Sequence, residues 1–222
     1  MESARTVEGL LREHGRTYAD EAGITLRDTP APLYQLLVLT VLCSIRIKAA
    51  TATAAARELF AAGLRTPQAM ADTTWQERVD ALGRAHYVRY DESTSTALGE
   101  GARLVLDRFH GDLRKLHEEA AGDTERLRGL LREVPRIGPV GADIFCREAQ
   151  AVWPELRPYF DARSRATAAE LGLPHTPAGL ARHVPPEDLA RLAAALVRVS
   201  LSSKTSRSSP SSPSSRRTSS DR

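Results

Sequence analysis

The sequence is poor in aromatic residues, cysteine and lysine, and each shortage narrows the classes of protein to which it can belong. Aromatic residues make up 5% of the chain, whereas Ala, Leu and Arg are abundant, a composition that favours helices. The two cysteines, Cys43 and Cys146, are too few for a four-cysteine iron–sulfur cluster or a zinc site built from cysteine alone. We therefore expect two free, buried thiols in a reducing compartment.

Long apolar segments and common catalytic motifs are also missing. The longest largely apolar run, from Leu36 to Cys43, is far shorter than the roughly 20 residues that a transmembrane helix needs. The residues after Met1 lack the apolar core of a signal peptide. The sequence contains no dinucleotide-binding or Walker glycine loop, no serine-hydrolase elbow and no metal-binding histidine spacing. These observations predict a cytoplasmic protein without a membrane partner.

Helical patterns run along the chain as far as residue 201. Val7, Leu10 and Leu11 recur at the spacing of one helix face. The segment 33–43 could form a strand by itself, but Ala-rich sequence continues to Phe60, so we expect two helices there, the first of them buried. The capping-box pattern Thr74-Trp75-Gln76-Glu77 marks another helix start. The sequence predicts an all-α protein.

The composition changes at Ser202. The segment 202–222 consists of Ser, Arg, Pro, Thr, Lys and Asp and has no apolar residue. Such a segment cannot bury enough surface to offset the entropy lost on ordering. We expect a domain over residues 1–201 and a disordered, mildly basic tail over residues 202–222. Composition favours a solvated tail over a specific nucleic-acid arm.

One short segment between two predicted helices has a composition suited to binding phosphate. Pro135 and Gly138 bracket a tight turn, and Pro139 opens the next helix. Backbone N–H groups beside a helix N-terminus can bind a phosphate oxygen, and Arg132 and Arg136 add positive charge. The alternative is an ordinary connection between two helices, in which Pro and Gly serve only to end one helix and begin the next.

The position of Asp161 downstream makes the first interpretation more specific. The sequence Val-Pro-Arg-Ile-Gly at 134–138, followed by a helix and then Asp161, resembles the helix-hairpin-helix DNA glycosylase superfamily, in particular proteins like endonuclease III. Shorter matches occur at 34–42, at 66–70 and at Leu82-Gly83, so the resemblance extends over residues 30 to 175.

The resemblance implies two helical lobes with a DNA-binding cleft between them. The middle helices and the hairpin form one lobe, and the N-terminal helix joins the segments after Asp161 in the other. The implied partner is double-stranded DNA, bound by a monomer. Asp161 takes the place of the catalytic aspartate, and the implied DNA-binding residues are Pro135, Arg136, Ile137, Gly138, Val140, Gly141 and Arg46.

For several further residues, the sequence allows both a role in DNA binding and a purely structural role. Ile45 or Arg46 falls where relatives insert a side chain into the duplex, although a solvated surface loop fits the sequence equally well. His86, Tyr87 and Tyr159 could stack on a flipped base, but each taken singly fits core packing better.

Three departures from the family pattern limit the chemistry. Val140 stands where strand-cleaving relatives have lysine, and an imine requires an amine, so we expect no lyase activity. The iron–sulfur cysteines are absent, so no cofactor is expected, although a monovalent cation at the hairpin stays open. Arg136 replaces a glycine, which would strain the backbone if φ is positive there.

The function that the resemblance implies is base excision repair by a monofunctional DNA glycosylase, which hydrolyses the N-glycosidic bond of a flipped damaged or mismatched base. One alternative is a DNA-binding relative without catalysis, in which Asp161 is only a helix cap. Another is a purely structural helical protein.

The tail assignment predicts that residues 202–222 contribute nothing to folding stability. A chain truncated after Leu201 should keep the thermal midpoint of the full-length protein, as measured by circular dichroism. A fall of several degrees would show that the tail packs on the domain.

Overall fold

The described part of the chain folds into helices and connecting turns. The structure is a computed structural model that describes residues 2–207, and this range contains no strand. The segment 33–43, for which the sequence alone allowed a strand, lies within a helix. The α-helices of the described range are α1 (Glu2–His14), α2 (Tyr18–Glu21), α3 (Pro30–Cys43), α4 (Ala49–Ala61), α5 (Pro67–Asp72), α6 (Trp75–Arg84), α7 (Asp91–Phe109), α8 (Leu113–Ala120), α9 (Thr124–Leu131), α10 (Pro139–Ala149), α11 (Ala162–Glu170), α12 (Pro177–Ala181) and α13 (Leu189–Arg207).

Side chains at the helix starts fix many of these boundaries. The Thr74 hydroxyl accepts from the backbone N–H of Glu77, whose carboxylate accepts from the N–H of Thr74, which confirms the predicted capping box. The Thr66 hydroxyl and the Asp123 carboxylate also accept from backbone N–H groups, at the starts of α5 and α9, although without the reciprocal bond of a capping box. Each cap satisfies backbone donors that have no partner within the helix, which stabilises it by about 1 kcal/mol.

The first lobe consists of α2 to α10, packed around α3. This helix is apolar on every side, and α4, α7, α8 and α10 all pack against it. A helix without a polar face is stable only where other helices cover it. The largest side chains that are completely buried in this lobe include Trp153, Tyr34, Tyr87, Phe109 and Phe145.

The second lobe combines the two ends of the described chain. It has its own apolar core, in which α1 packs on α13 and α13 packs on α11, and this core includes Val7, Leu10, Leu173, Leu180, Leu192 and Leu196. The arrangement confirms the predicted lobes. None of the described helices combines the length and the hydrophobicity needed to cross a membrane.

Glu148 on α10 holds the segment between α1 and α3 in place. Its buried carboxylate accepts hydrogen bonds from the backbone N–H groups of Ala19 (2.9 Å) and Tyr18 (3.4 Å) at the start of α2. Burial raises the pKa of Glu148, while the charge of Arg147 and the two amides act in the opposite direction. The carboxylate thus takes the role of a helix cap contributed from a distant part of the sequence.

The last helix is longer than the composition indicates. It continues to Arg207, and the hydroxyls of Ser202 and Ser203 donate to the carbonyls of Arg198 and Val199 within the helix. The start of the predicted disordered tail is therefore helical. The segment 208–222 lies outside the described residues.

The role of Glu148 predicts a large effect of its removal. Glu148→Ala should lower the free energy of unfolding by about 3 kcal/mol, because it leaves two buried N–H groups without acceptors and creates a small cavity. Urea denaturation would measure the loss. Glu170→Ala at the exposed end of α11 is the matched control and should change stability by less than about 0.5 kcal/mol.

Candidate active site

A cleft with a volume of about 780 Å³ lies between α10, the turn at 44–48 and the facing ends of α11 and α13. Arg46 and Val140, which the resemblance implies for DNA binding, and Asp161, which it implies for catalysis, all line this cleft. Its other lining residues are Tyr18, Cys43, Ser44, Ile45, Ile47, Lys48, Ala49, Asp143, Ile144, Arg147, Ala162, Arg163, Val197, Leu201 and Ser202. Several residues that the resemblance associated with one site are therefore neighbours in space.

The predicted hairpin forms the turn that leads into α10. Helix α9 ends at Leu131, and Ile137 is buried and anchors the turn in the first core. Arg136 is exposed and has φ +68°, the left-handed conformation that the resemblance associates with glycine. For a residue with a side chain this conformation costs about 1–2 kcal/mol.

Gly141 allows the first turn of α10 to approach the turn that carries Arg46. A Cβ atom at this position would lie 2.5 Å from the Ser44 Oγ and 3.1 Å from Cγ2 of Ile137. Ser44 is itself held, because its hydroxyl donates to the carbonyl of Thr40 (2.7 Å). The absence of a side chain at Gly141 thus fixes the wall of the cleft.

Asp161 caps α11 from the wall of the cleft. Its Oδ1 accepts from the backbone N–H of Ser164 (2.7 Å), and the Ser164 hydroxyl donates to the Asp161 carbonyl (2.9 Å). The predicted helix cap is therefore present. Its side chain is only 7% exposed.

Arg147 on α10 forms a buried ion pair with Asp161. Its Nη1 donates to Asp161 Oδ2 at 2.5 Å, and the Arg147 side chain is 4% exposed. Burial would raise the pKa of Asp161, but the charge of Arg147 and the Ser164 hydrogen bonds outweigh it and lower that pKa. The carboxylate is therefore ionised, fixed in direction and a weak base. Arg147 Nε is buried and has no hydrogen-bond partner among the described residues.

Asp143 places a second carboxylate in the cleft, one helical turn after Val140. Its Oδ1 accepts from the Tyr159 hydroxyl at 2.5 Å and lies 3.0 Å from Arg128 Nη2. Burial raises the pKa of Tyr159, which keeps the hydroxyl protonated and able to donate. Asp143 is consequently held by two neighbours outside the cleft.

The sequence interpretation missed both Asp143 and Arg147. Val140, Asp143, Ile144 and Arg147 follow one another at the spacing of a single helix face, and all four line the cleft. That spacing was visible in the sequence. It became informative only once Val140 was known to face the cleft.

The aromatic residues proposed for a base pocket lie elsewhere. Among the described residues that line the cleft, His86, Tyr87 and Tyr159 do not occur. His86 is exposed after α6, and Tyr87 is completely buried in the first core, with its hydroxyl 3.5 Å from the Leu42 carbonyl. Tyr159 acts on the cleft only through Asp143. Direct stacking by Tyr87 is incompatible with this placement.

Among the described residues that line the cleft, Cys43 supplies a thiol and Lys48 an amine. The two cysteines are free thiols, and Cys146 is buried as predicted, whereas Cys43 is only half-buried. Its partial burial still raises the pKa of the Cys43 thiol to about 12, so the thiol is protonated at neutral pH. Lys48 lines the cleft as an exposed amine. No group of three or more potential metal ligands from His, Cys, Asp and Glu occurs in the described part of the chain. A monovalent cation at the hairpin stays a prediction.

Comparisons with known proteins give a likeness of fold. No protein-family model and no curated protein sequence matches the chain. A trapped endonuclease III–DNA covalent intermediate, an estranged-adenine complex, shares 15% identity with a TM-score of 0.55 over 88% of this chain and 81% of that chain. A non-covalent endonuclease III–DNA complex shares 13% identity with a TM-score of 0.56 over 87% of this chain and 80% of that one. The chain has the two-lobed helical fold of endonuclease III, which confirms at the level of fold the resemblance seen in the sequence.

Proposed function

We propose that the protein is a monofunctional DNA glycosylase. The observation that carries the proposal is the ionised Asp161 carboxylate, held in a fixed direction on the wall of a 780 Å³ cleft, in a fold shared with DNA-bound endonuclease III. The volume suffices for one nucleotide turned out of a duplex.

Exposed cations supply the contacts that a duplex needs. Arg46, Lys48 and Arg163 are exposed and line the cleft, and Arg136 is exposed on the hairpin. Phosphate contacts of this kind give affinity that does not depend on sequence. The strained backbone at Arg136 is consistent with a side chain retained for its charge rather than for stability.

The proposed reaction breaks the bond between C1′ of the sugar and the base nitrogen. The base leaves with the bonding electron pair and takes a proton from solvent, and the sugar becomes cationic. Asp161 stabilises this cation through its negative charge, because few water molecules screen it at this depth. A water oxygen then bonds to C1′ and loses a proton to solvent, which leaves an abasic site in an intact strand.

Val140 explains why strand cleavage is not part of the proposal. Its side chain is 64% exposed at the position where a lyase would need an amine, and it cannot form an imine with the sugar. Among the described residues that line the cleft, Lys48 is the only lysine. If a covalent adduct with DNA forms, replacing Lys48 tests whether this lysine is the nucleophile.

One observation favours a second candidate function, DNA binding without catalysis. Both oxygens of Asp161 are already engaged, one by Ser164 and one by Arg147, and Arg147 offsets much of its charge. A carboxylate with both oxygens engaged in this way could contribute to folding stability without taking part in catalysis. The activity of Asp161 variants separates the two functions.

The proposal predicts salt-dependent binding to duplex DNA. Arg136→Glu should weaken binding about equally for all sequences, because it replaces a phosphate contact with repulsion. Fluorescence anisotropy at several salt concentrations would measure this. Arg5→Glu on α1 makes the same charge change at an exposed site and should leave affinity nearly unchanged. Absence of binding by the unaltered protein even at low salt would contradict both DNA functions.

Arg136→Gly separates the charge of Arg136 from its backbone strain. The variant should be more stable by about 1 kcal/mol, because glycine adopts positive φ without a steric penalty. Its DNA affinity should nevertheless fall, since the positive charge is gone. Thermal denaturation and anisotropy on the same preparation would test both effects. A loss of stability would show that the Arg136 side chain makes a structural contribution.

Asp161→Asn should abolish most of the base release while leaving DNA binding in place or tighter. The assay measures abasic sites in a panel of lesion-bearing duplexes, with alkali added separately to reveal nicks. Because the substitution also leaves Arg147 without its ionic partner, the melting temperature must be measured alongside. Glu170→Gln on the same helix is the control and should remain fully active.

Borohydride provides a further check of the same mechanism. The unaltered protein should give no covalent adduct with DNA, because Val140 carries no amine. An adduct that disappears in Lys48→Ala would overturn the monofunctional assignment. Full base release by a folded Asp161→Asn variant would leave Asp161 as a helix cap and favour a different catalytic group.

A further inference from the structure

The charged groups of the cleft are arranged by depth. The cations Arg46, Lys48 and Arg163, unpaired among the described residues, are exposed, whereas the carboxylates lie deeper, Asp143 with 21% and Asp161 with 7% of the side chain accessible. The buried cation Arg147 is paired with Asp161. A bound group would therefore meet positive charge at the rim and hydrogen-bond acceptors inside. A nucleotide matches this order when its phosphates remain at the rim and the hydrogen-bond donors of its base point into the cleft.

The acceptors in the interior differ in availability. Asp161 uses Oδ1 for Ser164 and Oδ2 for Arg147. Asp143 uses only Oδ1, which serves both Tyr159 and Arg128. No described side chain or backbone group donates to Asp143 Oδ2. Asp143 therefore retains one carboxylate oxygen that a ligand can use.

The neighbours of Asp143 also fix its orientation. The Tyr159 hydroxyl at 2.5 Å and the Arg128 guanidinium at 3.0 Å bind the same oxygen from outside the cleft. A carboxylate restrained by one hydrogen bond and one ion pair loses little entropy when a further donor binds. An ionised carboxylate only accepts hydrogen bonds.

We propose that Asp143 determines specificity, by accepting a hydrogen bond from an exocyclic amino group of the base through Oδ2. The cleft then takes amino-bearing bases in preference to bases with a carbonyl at the same position, because a carbonyl oxygen beside a carboxylate is repelled. The surrounding Ile45, Val140 and Ile144 contribute apolar contacts, which hold any base without distinguishing these two classes. This inference rests on the proposed function, since it concerns the base that the cleft receives.

The test compares bases that differ chiefly in this group. Duplexes carry one 2′-fluoro nucleotide, which resists hydrolysis, opposite an abasic site, so that no base pair has to be broken. One pair of duplexes contains cytosine or uracil, and a second pair contains adenine or hypoxanthine. Fluorescence anisotropy gives the dissociation constants. The unaltered protein should bind the amino-bearing member of each pair on the order of tenfold more tightly, as expected for a hydrogen bond to a charged group.

Two variants examine the origin of the preference. Asp143→Asn should reduce the ratio of dissociation constants to about one, because the amide can also donate to a carbonyl. Tyr159→Phe leaves the carboxylate in place but removes one of its restraints, so it should reduce the ratio in part. Asp107→Asn on the exposed face of α7 makes the same charge change outside the cleft and should preserve the ratio. Melting curves confirm that each variant is folded.

The outcomes distinguish this inference from the proposed function. Equal affinity of the unaltered protein for both members of each pair overturns the role of Asp143, while base release that depends on Asp161 would still stand. A preference that survives in folded Asp143→Asn likewise assigns specificity to another group. If none of the duplexes binds, the proposed function and this inference are both overturned.

Discussion

The buried ion pair between Arg147 and Asp161 joins the first lobe to the second at the floor of the cleft. Arg147 belongs to α10, which packs in the first core, and Asp161 begins α11, which packs in the second. Two charges removed from water at this depth are compatible with folding only while each satisfies the other. The relative position of the two helices is therefore restricted by electrostatics as well as by apolar packing. Loss of either partner alone should cost several kcal/mol, since the other would remain buried and unpaired.

The same face of α10 supplies most of what the cleft offers to a ligand. Its rim carries Val140 next to the hairpin, its middle carries Asp143, and its inner end carries Arg147. A rigid helix keeps these three side chains at fixed spacing, which suits recognition better than a loop would. The hairpin, the proposed recognition group and the partner of the proposed catalytic group thus belong to one continuous element.

The sequence predicted the fold and the main elements of the site to different degrees. Periodicity and capping patterns located the helices, because these signals are local, and the motif around the hairpin together with Asp161 identified the fold. The ion pair between Arg147 and Asp161 could not be predicted, because nothing in the sequence distinguishes Arg147 from the other charged residues of predicted helices. Tyr87 is buried in the first core, which is the role that the sequence favoured when this residue was considered singly, rather than the base pocket that was its alternative.

The end of α13 shows the same limit of local information. Composition placed a boundary after Leu201, yet the helix continues to Arg207. Serine residues are weak helix formers, but Ser202 and Ser203 bond to carbonyls of the preceding turn, and a helix already anchored in the second core needs little more to extend.

The close contact at Gly141 has a consequence for how the protein would hold a long ligand. Because α10 touches Ser44 directly, the hairpin and the turn that carries Arg46 form one rigid unit rather than two independently moving segments. A ligand held at the hairpin is then already in position for Arg46, so the second contact forms within the complex at a high effective concentration. The ligand then loses its orientational entropy once, when the first contact forms, and not again for the second. Two individually weak contacts therefore give high affinity together. A side chain at position 141 would separate these two segments and remove that advantage without touching the ligand at all.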